Sequence, residues 1–427
     1  MFDRPWPALV VVVALARAVP AAAQSEPSEP GLERVTFQEA VRRAVERNPT
    51  VAQAAQAILR AEALLDQAKS VFHPSLYGDV STTILDAARG FGGNITQPRT
   101  QSSFAGTASY AFLSAQRWAA KTQAGDQVGI AKISAEEIRR QVALTAAQAY
   151  LAVIAAEHQR DIAVRNRDTA QALADYSRTR LEAGQGSRLN HVRSAQELAT
   201  SEGLIQAAEL AVRQTQEALG IAIFADAPVD ASGDPDIEPP TPASNDEAWL
   251  IRRPDVRLFT AQMQAADRVV RDNWKSWLPV GTAYFTPQYV TPPGFFAPAR
   301  TWQAFFQLQI PIYDGTIGAT KRVRIADRET ARLRLDAVRL EARSEVRLAQ
   351  ESVARNEQIV AANRQAAESA IEALRITEIA YKAGATTNIE VVQAQQAARN
   401  TAVLASLAED RLRQARLDLL IAVGQFP

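Results

Sequence analysis

The chain repeats itself, and that limits what it can fold into more than any other feature. Leu181-Glu-Ala183-Gly184-Gln-Gly-Ser187-Arg-Leu189-Asn190-His-Val192 aligns without a gap to Tyr381-Lys-Ala383-Gly384-Ala-Thr-Thr387-Asn-Ile389-Glu390-Val-Val392, 200 positions later. Gln196 and Gln396 continue the match. A unit present twice builds its structure twice, so the repeat sets the architecture before any local propensity does.

The second copy lies in a stretch, Ile312 to Phe426, that contains no proline. Nothing there removes a backbone donor, so the spacing predicts long helices. Gly384 is placed to end one helix in the left-handed conformation. Thr387 is placed to cap the next, with Glu390 three residues on as a capping box requires. Each copy is thus a tight turn between two long antiparallel helices. From Ser114 to Glu182 only glycines interrupt the pattern. That is about 100 Å of helix at ~1.5 Å per residue. Ile138, Val142, Thr145, Ala149, Ala152 and Ala156 follow a 4-3-4-3-4 spacing and predict a narrow coiled-coil seam.

Other landmarks recur. Arg253-Pro254 follows Asn48-Pro49 by 205 residues, and Leu278-Pro279 follows His73-Pro74 by the same interval. From Phe112 and Ile312 onward the offset is 200, so the five-residue difference falls between these points. There the periodicity changes to two. Leu76, Gly78, Val80, Thr82 and Ile84 alternate with Tyr77, Asp79, Ser81 and Thr83. Phe104, Gly106, Ala108, Tyr110 and Phe112 alternate with Ser103, Ala105, Thr107, Ser109 and Ala111. In the second copy Trp302, Ala304, Phe306, Leu308, Ile310 and Ile312 alternate with Gln303, Gln307 and Gln309. These predict two β-hairpins, over about 75–113 and 280–312. The organisation read from the sequence is a signal peptide over 1–23, a first repeat over 24–225, a Pro/Asp-rich linker over 226–245 and a second repeat over 246–427. The tip turns fall at 183–188 and 383–388. Gln24 to Glu33 reads as an extended lead-in, and a helix begins near Thr36 with Glu39 as capping partner.

The apolar run Pro7–Leu15 and the small residues Ala21-Ala22-Ala23 carry the export signal, and the run is too short to span a bilayer. Asp3, Arg4 and Arg17 fall within it, so 45 basic and 46 acidic residues remain, a charge of −1. A balance of that kind, without like-charge blocks, argues against nucleic acid as a partner. The chain has no cysteine, which excludes disulfides, thiolate metal sites, cysteine nucleophiles and a lipid-anchored cysteine. His73, His158 and His191 lack zinc-ligand spacing and read as structural or solvated. No phosphate loop, dinucleotide fingerprint or nucleophile elbow is visible, so no catalytic residue, cofactor site or metal site is expected and the chain reads as a non-enzyme.

Strands of ~9–11 residues with one apolar and one polar face suit a tilted membrane strand. Trp118, Trp274 and Trp277 lie where strands meet helices, and Trp302 lies at the opposite end. That is the placement of an aromatic girdle at the two membrane interfaces. The competing reading is that they plug a soluble core. Four strands cannot close a barrel, and lipid tolerates no open edge, so a membrane reading requires several chains to share one barrel.

At this point the residues resemble a known family. Val35-Thr-Phe-Gln-Glu-Ala40 with Asn48-Pro49, Val71-Phe-His-Pro74-Ser-Leu76, Ile310-Pro-Ile-Tyr-Asp314-Gly315, the two glycine turns and Leu419-Leu-Ile-Ala-Val-Gly424 together are similar to the TolC-type outer membrane efflux proteins. The resemblance implies a homotrimer whose chains each give four strands to one twelve-stranded outer-membrane barrel, continued across the periplasm by an α-helical tunnel. It implies a passive exit duct whose closed inner tip docks on a periplasmic adaptor of an inner-membrane pump.

The resemblance also assigns candidate roles. The acidic ring that constricts the closed pore falls on Glu390. The next inward position, often acidic, is Gln393, and the first-repeat position, often Asp, is Asn190. A basic partner that locks the tip in one branch is replaced by Thr386. Capping of its own helix is the second reading of Glu390, compatible with the first. Leu181, Gly184, Ser187, Tyr381, Gly384 and Thr387 are the adaptor-docking candidates, with plain turn chemistry as their alternative. Tyr381 favours docking because such a turn does not need a large side chain. A soluble periplasmic coiled-coil scaffold or adaptor is the alternative for the whole chain.

Overall fold

The computed structural model describes residues 32–238 and 248–426, apart from 294, 296 and 297. Residues 1–23, read as a signal peptide, residues 24–31 of the lead-in and residues 239–245 of the linker lie outside the described residues. The chain is mostly helical. Strand β1 (Glu33–Val35) leads into α1 (Phe37–Arg47) and α2 (Pro49–Ser70). Thr36 caps α1 by accepting from the Glu39 N–H at 3.2 Å. The reciprocal half of the expected box is absent, because the Glu39 carboxylate turns to Arg42 and Arg43 instead. Asn48 is extended, as a residue before proline must be, and its side chain caps α2.

Strand β2 (Ser75–Ile84) follows, then a small hairpin of β3 (Arg89–Phe91) and β4 (Asn94–Gln97), then β5 (Thr100–Ser114). Helix α3 (Ala115–Glu182) runs 68 residues, and α4 (Arg188–Ala222) returns over 35. After β6 (Val229–Ala231) the unit recurs as α5 (Ala248–Arg252), α6 (Pro254–Arg271), a 3₁₀ turn over Asp272–Trp277, β7 (Val280–Thr291) and β8 (Arg300–Gln309). Helices α7 (Gly315–Lys382) and α8 (Asn388–Ala422) again run 68 and 35 residues.

The two hairpins merge into one antiparallel sheet of order β2-β5-β7-β8. Its register gathers the apolar residues on one face. Val80 pairs Phe104, Phe104 pairs Tyr289, Ala108 pairs Phe285, and Ala283 pairs Phe306. The opposite face carries Asp79, Thr107, Gln303 and Gln307. Helices do not cover the apolar face: Leu76 and Phe306 are each 79% exposed. A bulge at Ala111–Phe112 shifts the register, and Phe112 lies so close over Gly281 that a Cβ there would meet its ring at 2.6 Å.

Several expectations need correction. Strand β8 ends at Gln309, so Ile310 and Ile312 lie beyond the last strand rather than inside it. Phe305 breaks the polar face and stacks on Tyr284 at 4.7 Å. A pairing that the sequence did not indicate joins the end of the lead-in to the linker, Glu33–Val35 running parallel to Val229–Ala231. The narrow seam does not exist as drawn. Thr145 and Ala152 are exposed, and the buried face is broader: Val142, Ala143, Ala146, Ala147, Tyr150, Val153 and Ile154. The reason is that α3 packs on α1, α2, α4, α6 and α8, not on one partner.

Arg253 ties the second repeat together. Its side chain is buried and donates to Asp255 at 2.6 Å, to Glu345 of α7 at 2.8 Å and to the Ala422 carbonyl at the end of α8 at 3.1 Å. Burial alone would raise the Asp255 carboxyl, but hydrogen bonding and charge from Arg253 win, and the carboxyl sits below its ordinary value. Arg253→Met should destabilise the fold by ~3 kcal/mol, since it strands the half-buried Asp255 carboxylate and the Ala422 carbonyl. Thermal or denaturant unfolding reads this. The depressed Asp255 contributes stability that is complete at neutral pH. That stability is lost as pH falls from the ordinary carboxylate range through the lowered folded value. Arg253→Met should therefore unfold with less acid sensitivity than the parent chain.

Candidate functional site: the tip of the two helical hairpins

Both turns end their helices in the same way. Gly184 has φ +69° and Gly384 has φ +77°, the left-handed region that only glycine enters freely. The Gln185 N–H donates to the Arg180 carbonyl at 2.9 Å, and the Ala385 N–H to the Ala380 carbonyl at 2.8 Å. These are the bonds that satisfy a helix's last carbonyls. Because α3 and α7 have equal length, the turns meet at one end of the molecule, opposite the sheet.

The next helices start differently. Ser187 Oγ accepts from the Leu189 N–H at 3.2 Å and caps α4. Thr387 gives α8 no side-chain cap. Its hydroxyl donates instead to the Glu390 carboxylate at 3.2 Å, and the Thr386 hydroxyl donates to the same carboxylate. The capping box expected from Thr387 and Glu390 is therefore replaced by two hydroxyls holding one exposed carboxylate. Gln393, one turn on, is also exposed. Asn190 is not with them. It is half-buried in the groove between the two turns, which neither Glu390 nor Gln393 lines.

Of the docking candidates, Gly184, Ser187, Gly384 and Thr387 are exposed and Leu181 is half-buried. Tyr381 is 7% exposed and packs with Leu173, Tyr176 and Val391, its ring 5.7 Å from that of Tyr176. The size of Tyr381 is thus accounted for by the junction of α3, α7 and α8 and is no argument for an outer contact. The four tryptophans are all exposed. Trp118 packs against Phe72 with tilted rings 4.8 Å apart beside the junction, and Trp302 lies near Phe285 at the far end of β8. From Trp302 to Gln309 the strand spans about 23 Å at ~3.3 Å per residue. Among the described residues no helix is long and apolar enough to cross a membrane, and no cluster could hold a metal ion.

Sequence reading missed Glu197. It is buried on α4 and accepts from Arg399 Nη1 at 2.5 Å and Gln396 Nε2 at 3.1 Å, both on α8. The partner lies 202 residues away, so no local pattern marks the pair.

The sheet, with one apolar and one polar face, is prolonged by two helices of about 100 Å, each with a return helix about half as long. Residues 247–425 match the family model of the outer membrane efflux proteins. The second repeat carries that family's pattern, which bears out the resemblance drawn from the motifs. No curated protein sequence matches the chain significantly. Among solved structures, the CmeC outer membrane channel of Campylobacter jejuni is similar with TM-score 0.80 at 15% identity, covering 97% of this chain and 94% of that one. The open-state MtrE outer membrane channel of Neisseria gonorrhoeae gives 0.78 at 19% identity, covering 91% and 88%. The outer membrane protein VceC of Vibrio cholerae gives 0.76 at 16% identity, covering 91% and 96%.

The Glu197–Arg399 pair joins the two hairpins near the tip, so its loss tests how firmly they are held. Glu197→Gln should lower stability by ~3 kcal/mol, because it leaves the Arg399 charge poorly paired in a half-buried site. Glu197→Gln with Arg399→Met should recover much of that loss. A double-mutant cycle in denaturant reads both.

Proposed function

We propose that the protein is the outer-membrane exit duct of a tripartite efflux or secretion system. It conducts substrates passively from a periplasmic adaptor and inner-membrane pump to the outside. One observation carries this reading: the sheet keeps its apolar face and both edge strands, β2 and β8, uncovered at one end of helices that span about 100 Å. In water such a sheet would aggregate, and in lipid its edges must be paired. Three chains joining β8 to a neighbour's β2 supply twelve strands, enough to close a barrel. The apolar face then meets lipid, the glutamine-bearing face lines the lumen, and the tryptophans sit at the two interfaces. The residues before Gln24 direct export, and the helical hairpins reach into the periplasm with the tip inward. A soluble scaffold is not favoured, because it would leave the apolar face in water.

At the tip, three copies of Glu390 form the constriction ring, with Gln393 as an uncharged second layer. The exposed turn residues meet the adaptor, and Tyr381 supports the tip from within. No chemical step is involved.

Topology is tested by labelling. The chain has no cysteine, and Asp86 and Gln185 are exposed at opposite ends. On whole cells an impermeant thiol reagent should label Asp86→Cys and spare Gln185→Cys. Equal labelling would refute the orientation. Recovery of the protein in the detergent-free periplasmic fraction, or a stable monomer in detergent by light scattering, would refute the duct itself.

The ring is tested separately in planar bilayers. Glu390→Gln and Glu390→Ala should each lower cation selectivity and weaken block by multivalent cations. Stability should move by no more than ~0.5 kcal/mol, as at other exposed positions. Gln393→Asp should strengthen the block. Unchanged selectivity in both Glu390 variants would remove the ring and leave a local contact only.

A further inference from the structure

The groove between the two tip turns presents donors that its own walls do not satisfy. Arg180 and Arg193 line it from the first hairpin, Asn388 and the start of α8 line it from the second, and no Asp or Glu lines it. Arg193 makes no hydrogen bond or ion pair among the described residues. Arg180 gives one N–H to the Gln185 carbonyl at 3.4 Å and keeps the rest of its guanidinium free of carboxylates. The Asn388 side chain is 1% exposed, and neither its Nδ2 nor its Oδ1 has a partner. A buried amide left this way is rare in a folded protein. Helix α8 also opens without a side-chain acceptor for its first amides, and such an end attracts anions. The start of α4 differs: Ser187 caps it, and Arg188, at the position of Asn388, is exposed.

We propose that this groove is a carboxylate-binding site, filled by an Asp or Glu side chain on the turn of the docked periplasmic partner. Two guanidinium groups, Nδ2 of Asn388 and the free end of α8 supply donors, against the single unpartnered acceptor Asn388 Oδ1. A carboxylate is the side chain that only accepts, and charge-assisted bonds to it are the strong ones. The proposal rests on the docking reading above and adds the chemistry by which docking is recognised.

The test uses the full-length detergent-solubilised protein and acetate as the stand-in for the carboxylate. Gln185 is exposed at the rim of the groove, so Gln185→Cys can carry an environment-sensitive fluorophore. Sodium acetate is titrated against sodium chloride at constant ionic strength. A saturable acetate-specific response in the millimolar range is expected, the affinity suited to a group delivered at high effective concentration by a partner. Arg193→Gln and Asn388→Leu should each weaken it by about tenfold or more, since each removes a donor. Arg188→Gln should leave it unchanged. No acetate-specific response, or one that survives in both groove variants, overturns the site. Saturation at micromolar acetate marks a free-anion site and overturns the assignment to a partner's side chain. No partner is present in this experiment, so a null result leaves the docking reading standing. That reading fails on its own evidence if Gln185→Cys in cells cross-links to no periplasmic protein.

Discussion

The structure depends on two helical hairpins of equal length. Helices α3 and α7 share one length, and α4 and α8 share another. An α-helix converts residue count directly into distance, so equal counts bring the two turns level at one end and the two β-hairpins level at the other. Only then can β5 pair with β7 and merge the hairpins into one sheet. A deletion of a few residues in one long helix would rotate its buried face and displace one turn from its neighbour. The five-residue difference between the repeats is tolerated because it falls in the hairpin region, where loop length does not set the relative height of the turns.

The buried faces of α3 and α8 are rich in alanine, and that of α4 in serine, which lets backbones approach closely. Ala143, Ala146 and Ala147 are fully buried on α3, and Ala342 on α7. Small side chains bring backbones near but bury little apolar area each, so polar ties add to them. Tyr150 donates to the Gly233 carbonyl at 2.7 Å, Arg253 gathers α6, α7 and α8, and Glu197 joins α4 to α8. Each is a buried group whose removal leaves a partner stranded, so these few contacts outweigh the many exposed ion pairs along the helices.

The two turns share a backbone but not a chemistry. Duplication preserved the left-handed glycine in both, because the geometry of the turn needs it. At the start of the returning helix the copies diverge. Ser187 caps and leaves its turn complete, while Thr387 and Thr386 hold Glu390 and leave α8 open toward a groove lined by arginine. Ser187 completes the start of α4, while the start of α8 leaves the buried Asn388 amide without a partner.

The repeat, the proline-free helices, the glycine turns and the alternating strands were legible in the sequence, because each rests on local geometry: missing donors, positive φ and side-chain period. The cap at Thr36 was legible for the same reason, whereas Asn48 read only as a break before proline and its capping of α2 was not. What the sequence could not determine is which faces meet. The buried face of α3 is broad because five elements pack on it, and no single heptad seam describes that. Tyr381 looked like an outer contact until α3 was placed beside it. Asn190 and Glu390 look equivalent by alignment, yet one lines a groove and the other does not. Glu197 and Arg399 are unremarkable until two hairpins some 200 positions apart lie side by side. Tertiary structure alone decided these, since burial and pairing belong to the space between elements and not to any stretch of chain.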